Sequence, residues 1–214
     1  MNLNFEQNLW NKKRNYIFGL DEVGRGPLAG PVVVCAVCIN KNHKIPDSLQ
    51  KKINDSKKLT HVKRQEILKE IKNRSDIKYT IYKLGEKEID KINILNTTLK
   101  AFKRAVMLLE KKLNHKPDLI LIDGNKIIKN LVNYKQQAII NGDSKVLSIA
   151  LASIIAKEYR DNLMIKYAKQ YPKYDFEINK GYGTKKHREA IKKFGICKIH
   201  RKSFLNKIQI GKSK

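Results

Sequence analysis

Two short apolar runs, each ending in a carboxylate and a glycine turn, constrain this chain most strongly. Asp21 and Glu22 follow the first run, residues 16–20, and Asp123 follows the second, residues 117–122. Apolar runs of this length, bounded by turn residues, are typical of buried strands. Strands that lie side by side bring such residues to one edge of a sheet, where open α/β sheets commonly bind their ligands. The acids are therefore predicted to meet at that edge.

The first of these endings also combines acids with a flexible, cationic turn. Adjacent strand residues point to opposite faces, so Asp21 and Glu22 could share a metal only if the backbone bends, and Gly24 and Gly26 permit such a bend. Glycines let backbone amides face a phosphate or sugar, and Arg25 adds positive charge. An ordinary capped turn is the alternative explanation of this stretch.

The rest of the chain alternates between strand and helix patterns, which predicts an α/β fold. Asp143 precedes a long helix, where an N-cap is the ordinary explanation. The predicted division is one domain, residues 1–170, with a basic C-terminal segment, residues 171–214, packed on it. The other predicted strands are 31–39, 77–84 and 137–140, and the main predicted helices are 61–72, 86–113, 145–170 and 185–194.

The charge of the chain indicates a polyanionic partner. Lys and Arg number 46 against 20 Asp and Glu, a formal net charge of +26, and nucleic acid is the natural candidate. Most of these cations are Lys, a bias that an AT-rich genome also produces, so charge alone supports nucleic-acid binding only modestly. No apolar run is long enough to span a membrane and no secretion signal is recognisable, so a cytoplasmic location is expected.

The residue types at the predicted edge indicate a hard divalent metal rather than zinc. Cys35 and Cys38 lie in one apolar strand run, point to opposite faces and have no second Cys or His pair, so they are predicted to be buried thiols. The carboxylates supply oxygen ligands, which Mg²⁺ and Mn²⁺ prefer. Two such ions can activate water and stabilise a leaving oxygen in phosphodiester hydrolysis. The four candidate acids are Asp21, Glu22, Asp123 and Asp143.

The chain resembles bacterial ribonuclease HII over nearly its whole length. The matching motifs occur in order: GLDEVGRGPLAGP at 19–31, DSKKLT at 55–60, LIDGN at 121–125, GDS at 142–144, ASIIAK at 152–157 with Arg160 and Asp161, KGYGT at 180–184 and HRKSF at 200–204. Departures from the family pattern are slight: Glu158 and Tyr159 before Arg160, and Lys202 in the last motif. None of them affects the four acids.

The resemblance implies a ribonuclease H-like fold, a mixed sheet flanked by helices. It implies a monomeric endonuclease that cuts RNA in RNA–DNA hybrids and at single ribonucleotides in duplex DNA, leaving a 5′-phosphate. It makes the four acids the ligands of Mn²⁺ or Mg²⁺. It also implies that Gly24, Arg25 and Gly26 recognise the 2′-hydroxyl and phosphate at the RNA-to-DNA junction and that Tyr182 packs on the next sugar. Further candidates for backbone contacts are Ser56, Lys57, Arg201 and Ser203.

Two alternatives remain open. Ribonuclease HIII shares the Asp-Glu-x-Gly-Arg-Gly turn but normally carries a substrate-binding domain ahead of it, and the segment before Asp21 is expected to be too short for one. A non-catalytic, basic nucleic-acid-binding protein could use the same acids as turns and caps. Metal-dependent cleavage separates this last alternative from the enzymes.

Overall fold

A computed structural model describes residues 3–54 and 59–206. Five strands form one mixed sheet in the order β3-β2-β1-β4-β5. Neighbours β1 and β2, and β2 and β3, are antiparallel, whereas β4 pairs in parallel with both β1 and β5. The predicted α/β class with a mixed sheet is confirmed. The strands are β1 Ile17–Val23, β2 Val32–Ile39, β3 Ile77–Leu84, β4 Leu119–Asp123 and β5 Gln136–Ile139.

Helices connect and flank these strands. The helices are α1 Asn4–Asn11, α2 Asp47–Asn54, α3 His61–Lys72, α4 Glu86–Leu113, α5 Leu147–Gln170, α6 Phe176–Asn179 and α7 Lys185–Phe194, with short 3₁₀ turns at Gly142–Ser144, Pro172–Tyr174 and Lys202–Phe204. The predicted bounds of α3, α4 and α7 are confirmed, and Asn93, with a φ of +63°, interrupts α4 internally. Helix α2 was not predicted, because its buried positions Leu49 and Ile53 are two isolated apolar residues in a polar, lysine-rich stretch.

The sheet is covered on both faces. Helix α5 packs on one face, where Cys35 joins Leu151 and Ile154 in a buried cluster, and α4 packs on the other, where Cys38 lies with Phe102. All eight residues of β2 are buried, as expected for a strand whose two faces are both covered. The two cysteines are therefore buried on opposite faces, as predicted.

Strand β1 is longer than its apolar run predicted, and this changes the setting of the first two acids. The run ends at Leu20, but Asp21 and Glu22 continue the strand by pairing with Cys35 and Val34 of β2. Pairing between β1 and β4 stops at Leu20. The acids therefore stand on a continuous strand beside a gap in the sheet, not in the following turn.

Two further corrections concern the chain before α5. This helix begins at Leu147, two residues later than predicted, and its N-cap residue Val146 makes no side-chain capping bond. Asp143 lies instead in the separate 3₁₀ turn Gly142–Ser144. The interpretation of Asp143 as an ordinary N-cap of the long helix is wrong, because Asp143 belongs to this separate turn and the N-cap position is taken by Val146.

The C-terminal segment packs on the turn that follows β1 and on α5. Ala29 and Met164 share a buried cluster with Phe176 and Ile191, and Ala29 forms an isolated antiparallel bridge with His200. The division at residue 170 stays a prediction. Among the described residues, none of the helices has the length and apolar character needed to cross a membrane.

Candidate active site

Strand register places two of the predicted acids side by side. Leu20 of β1 pairs with Ile122 of β4, so the next residues, Asp21 and Asp123, lie at the same level of the two strands, just beyond the last β1–β4 pair. Asp123 Oδ1 accepts hydrogen bonds from the backbone N–H of Gly142 at 2.7 Å and of Asp143 at 3.4 Å. The Asp123 carboxylate therefore fixes the turn that carries Asp143.

The Asp21 carboxyl group lies in an environment that opposes its charge. It is 6% exposed, and its Oδ1 accepts the Glu22 amide N–H at 2.7 Å. Burial, followed by the charge of Glu22, raises the pKa of Asp21 well above its usual value; a hydrogen bond from Ser153 opposes this shift and the charge of Asp123 adds to it. Desolvation and neighbouring like charges both favour the neutral carboxyl group.

Glu22 shares this environment. Burial raises its pKa, the nearby Arg25 guanidinium lowers it, and Asp123 raises it further. Glu22 Oε1 lies 3.2 Å from Arg25 Nη1, and the Arg25 side chain is 52% exposed. Both Asp21 and Glu22 therefore experience the charge of Asp123, so three of the predicted acids interact electrostatically.

The donor set fits a hard divalent cation. Within residues 3–54 and 59–206, no three Asp, Glu, His or Cys side chains converge on one point as metal ligands would. Glu22 instead faces Arg25, and Asp123 accepts the Gly142 amide, an arrangement that lowers repulsion between like charges. A divalent cation would stabilise the charged forms that burial disfavours, and oxygen-only ligands suit Mg²⁺ or Mn²⁺.

The turn after β1 is built around a buried arginine of α5. Gly24 has a φ of +90°, and a Cβ there would lie 2.3 Å from Arg160 Nε, so the turn requires glycine. The Arg160 side chain is 0% exposed and donates to the carbonyl oxygens of Pro31 at 3.0 Å, Ala29 at 3.1 Å and Lys180 at 2.9 Å. Through Arg160, the α5 helix thus binds the backbone of both the turn and the loop that carries Tyr182.

Arg201 supports the same turn from the C-terminal segment. Its guanidinium donates to the carbonyl oxygens of Gly24 at 2.5 Å, Arg25 at 2.8 Å and Gly30 at 2.9 Å. The side chain is 0% exposed. This buried guanidinium therefore positions the turn, and the substrate contact of Arg201 stays a prediction.

Four of the other predicted substrate residues are exposed: Arg25, Gly26, Tyr182 and Ser203. Tyr182 is 43% exposed, and a Cβ on Gly26 would meet only Tyr182 Cε1, at 3.8 Å, within 4 Å. Ser203 is exposed, and its Oγ donates to Asp90 Oδ1 of α4 at 2.5 Å. Ser56 and Lys57 lie outside the described residues. The structure thus brings Arg25, Gly26 and Tyr182 to one surface, with open space above Gly26.

Several residues that hold this site were not predicted. Arg160 and Ser153 lie within the buried α5 helix, where a polar residue among apolar ones was the available signal. Glu6 of α1 is 1% exposed, and its carboxylate accepts the Ser148 N–H at the start of α5 at 2.8 Å. No local pattern links Glu6 to a helix 142 positions away.

Comparisons with known proteins show which family this chain resembles. The family model described as Ribonuclease HII matches residues 18–207. Ribonuclease HII of Endomicrobium trichonymphae is 50% identical over 200 residues, which are 94% of this chain and 90% of the relative. The crystal structure of ribonuclease H2 from Pyrococcus horikoshii matches with a TM-score of 0.72 at 26% identity, covering 88% of this chain and 93% of that one.

A second solved structure is similar in fold. Bst-RNase HIII in complex with Mn²⁺ matches with a TM-score of 0.69 at 19% identity, covering 84% of this chain and 61% of that one. The fold is therefore the ribonuclease H-like fold that the motifs predicted. With a family model that spans most of its length and a relative of 50% identity, the chain belongs to the ribonuclease HII family.

Proposed function

We propose that this chain hydrolyses the RNA strand of RNA–DNA hybrids and cuts on the 5′ side of single ribonucleotides in duplex DNA, leaving a 5′-phosphate. Its family is one of endoribonucleases of the ribonuclease H class. One observation carries the proposal: buried Asp21 interacts electrostatically with Glu22 and Asp123, directly beside the turn held by Arg160 and Arg201.

Asp21, Glu22, Asp123 and Asp143 are the proposed metal ligands. The ribonuclease H class depends on divalent metal, and we propose Mn²⁺ or Mg²⁺ here because every donor is a carboxylate oxygen. When bound, such ions lower the pKa of an attacking water and stabilise the leaving oxygen. Asp123 in addition holds the Gly142 amide, so it fixes the backbone that carries Asp143.

Arg25, Gly26 and Tyr182 are proposed to read the ribonucleotide. The Arg25 side chain is half exposed and donates through Nη1 to Glu22, and we propose that its other N–H groups donate to a phosphate. Among the described residues, Tyr182 Cε1 at 3.8 Å is the one contact within 4 Å of a Cβ placed on Gly26. A sugar that enters the space between Gly26 and Tyr182 would bring its 2′-hydroxyl close to the backbone of the turn, which distinguishes RNA from DNA.

The net charge of +26 supports a nucleic-acid partner, since lysines attract the polyanion while bound cations offset the acidic centre. We propose that the protein acts as a monomer in the cytoplasm. Size-exclusion chromatography with light scattering tests the first of these points, and a dimer would contradict it.

The direct test is incubation of the purified protein with a labelled duplex that contains one ribonucleotide. Reactions with Mg²⁺, with Mn²⁺ and with a chelator run beside an all-DNA duplex. We expect a single cut 5′ to the ribonucleotide, only with metal. Tight binding without cleavage in any metal would favour the non-catalytic alternative.

A matched pair of variants then tests the site. Asp123→Asn should abolish cleavage and retain duplex binding, because it removes a ligand charge. Asp118→Asn is the control: Asp118 precedes the opposite end of β4 and accepts the Asn15 and Tyr16 amides at 2.8 and 3.0 Å. Equal loss of cleavage in both variants would mean that Asp123 acts through the fold and not through a metal.

A further inference from the structure

Two buried histidines outside the carboxylate site touch each other near the proposed reading surface, which is formed by Arg25, Gly26 and Tyr182. His187 of α7 is 0% exposed and His200 is 2% exposed, and their Nε2 atoms lie 3.1 Å apart. His187 Nδ1 lies 2.8 Å from the Tyr182 carbonyl oxygen. The amide nitrogen of Cys197 lies 2.9 Å from His200 Nδ1.

These contacts permit one protonation pattern. The Tyr182 carbonyl can only accept, so His187 Nδ1 carries the proton and its Nε2 is an acceptor. His200 must then donate from Nε2, which leaves its Nδ1 to accept the Cys197 amide N–H. One direction of donation therefore runs from the Cys197 amide through both rings to the Tyr182 carbonyl.

Both rings must be neutral for this chain to exist, because a second proton would set two N–H groups against each other. Burial lowers the pKa of His187, and burial together with the neighbouring His187 lowers the pKa of His200 to about 4. The hydrogen-bond chain is therefore intact at neutral pH.

The pair does not form a metal site with Cys197. Cys197 Sγ lies 3.1 Å from His200 Nδ1, whereas His187 approaches the other nitrogen, Nε2. The two nitrogens of one imidazole point in different directions, so the three side chains do not share a centre. Phe176 and Tyr174 pack against both histidine rings in edge-on or tilted contacts, and these contacts do not depend on the hydrogen bonds between the rings.

The chain of hydrogen bonds joins both halves of the reading surface. At its acceptor end it holds the backbone of Tyr182. Its other ring belongs to His200, whose backbone bridges to Ala29 of the turn, and the next residue, Arg201, donates to the carbonyl oxygens of Gly24 and Arg25. The separation between the tyrosine and the turn is thus set through buried polar contacts.

We infer that His187 and His200 are positioning residues for ribonucleotide recognition: their hydrogen-bond chain fixes Tyr182 relative to the turn that carries Arg25 and Gly26. This inference rests on the proposed function. A duplex with one ribonucleotide offers a single register in which a 2′-hydroxyl meets the turn. A long hybrid offers such a register at every step. Misplacement of Tyr182 should therefore lower cleavage at the isolated ribonucleotide more than cleavage of the hybrid.

The test compares kcat and KM of His187→Phe on a duplex with one ribonucleotide and on a long hybrid. Phenylalanine keeps an aromatic ring against Phe176 and removes both hydrogen bonds. We expect kcat/KM for the single ribonucleotide to fall about 10-fold, mostly through KM, and that for the hybrid by less than about 3-fold. His187→Asn keeps a donor towards Tyr182 and should lose less.

Tyr174→Phe is the matched control. It removes the 3.0 Å bond from the Tyr174 hydroxyl to the Gly195 carbonyl, a buried bond in the same cluster with no link to the turn. This variant should leave the ratio of kcat/KM values for the two substrates unchanged. An equal change of ratio in His187→Phe and Tyr174→Phe, or no change in either, overturns the inference.

A second measurement detects the hydrogen-bond chain without an activity assay. Imidazole ¹⁵N shifts of the full-length, metal-free protein at neutral pH should show the Nδ1–H form of His187 and the Nε2–H form of His200. The opposite tautomers, or a charged ring, overturn the inference even where His187→Phe does not fold. If the unmodified protein cleaves neither substrate, the proposed function fails. The ¹⁵N shifts still decide whether the hydrogen-bond chain exists.

Discussion

The Arg201 guanidinium donates a 2.8 Å hydrogen bond to the carbonyl oxygen of Arg25, across 176 positions of the chain. One arginine is buried and holds the backbone, and the other is half exposed beside Glu22. The glycine-containing turn between Gly24 and Gly30 is therefore held in one conformation, because Arg160 and Arg201 donate hydrogen bonds to its backbone carbonyls. A preorganised turn loses little entropy when it binds a substrate.

Arg201→Lys tests this support. A lysine lacks the planar fork that reaches three carbonyls at once, so buried acceptors lose partners. We expect the free energy of unfolding in urea to fall by about 2–4 kcal/mol and cleavage at a single ribonucleotide to fall with it. Arg25→Lys should change stability by less than about 0.5 kcal/mol, since its side chain is half exposed. A similar loss of stability in both variants would contradict the assignment.

Two glycines of the turn should respond differently to alanine. Gly24→Ala meets a φ of +90° and Arg160 Nε at 2.3 Å, so we expect a loss of about 1–3 kcal/mol in stability. Gly26→Ala meets only Tyr182 at 3.8 Å and should fold with stability within about 0.5 kcal/mol of the parent.

The activity of Gly26→Ala gives the second half of this prediction. The new methyl group fills the space proposed for the sugar, so kcat/KM at a single ribonucleotide should fall by about 10-fold or more. Thermal unfolding and cleavage assays on the same preparations check both halves. Full activity in Gly26→Ala would show that the sugar binds elsewhere.

Asp21→Asn should separate stability from function. Its folded-state pKa lies above the ordinary 3.8, so this carboxyl group favours folding below that pH, and the contribution is lost as the pH rises through the folded value. In chelator at pH 7 the variant should therefore be more stable than the parent, with Tm higher by about 2–4 °C per kcal/mol of relieved repulsion.

The extra stability of Asp21→Asn relative to the parent should decrease as the pH is lowered towards 4. Added Mg²⁺ or Mn²⁺ should stabilise the parent more than the variant, because only the parent keeps all four ligand charges. Calorimetry at several pH values, with and without metal, measures both effects. A variant less stable than the parent in chelator at pH 7 would contradict the electrostatic account.

Glu6 provides a prediction far from the catalytic edge. Its carboxylate accepts the Ser148 N–H at the start of α5, where Val146 supplies no side-chain cap. Glu6→Ala leaves that amide without its acceptor and should cost about 1–2 kcal/mol. Glu6→Gln keeps an acceptor oxygen, so it should lose less. Urea denaturation distinguishes the two variants, and equal losses would argue against capping.

Local patterns in the sequence were sufficient for most of the elements. Thr60 and Thr184 cap α3 and α7 through their side chains, and β2 is apolar throughout because both of its faces are buried. Such features depend on residues within a few positions, so the sequence shows them directly. The helix α2 was missed because only Leu49 and Ile53 mark its buried face.

The sequence by itself determined the strand and helix order, the acids at strand ends, the glycine turn and the family. Only the tertiary structure decided that β1 carries Asp21 and Glu22 within the strand, that Arg201 holds the turn, and that Glu6 caps α5. The physical reason is that these outcomes depend on which distant groups share a buried space. Burial and hydrogen-bond partners across more than 100 positions arise only when the chain is packed.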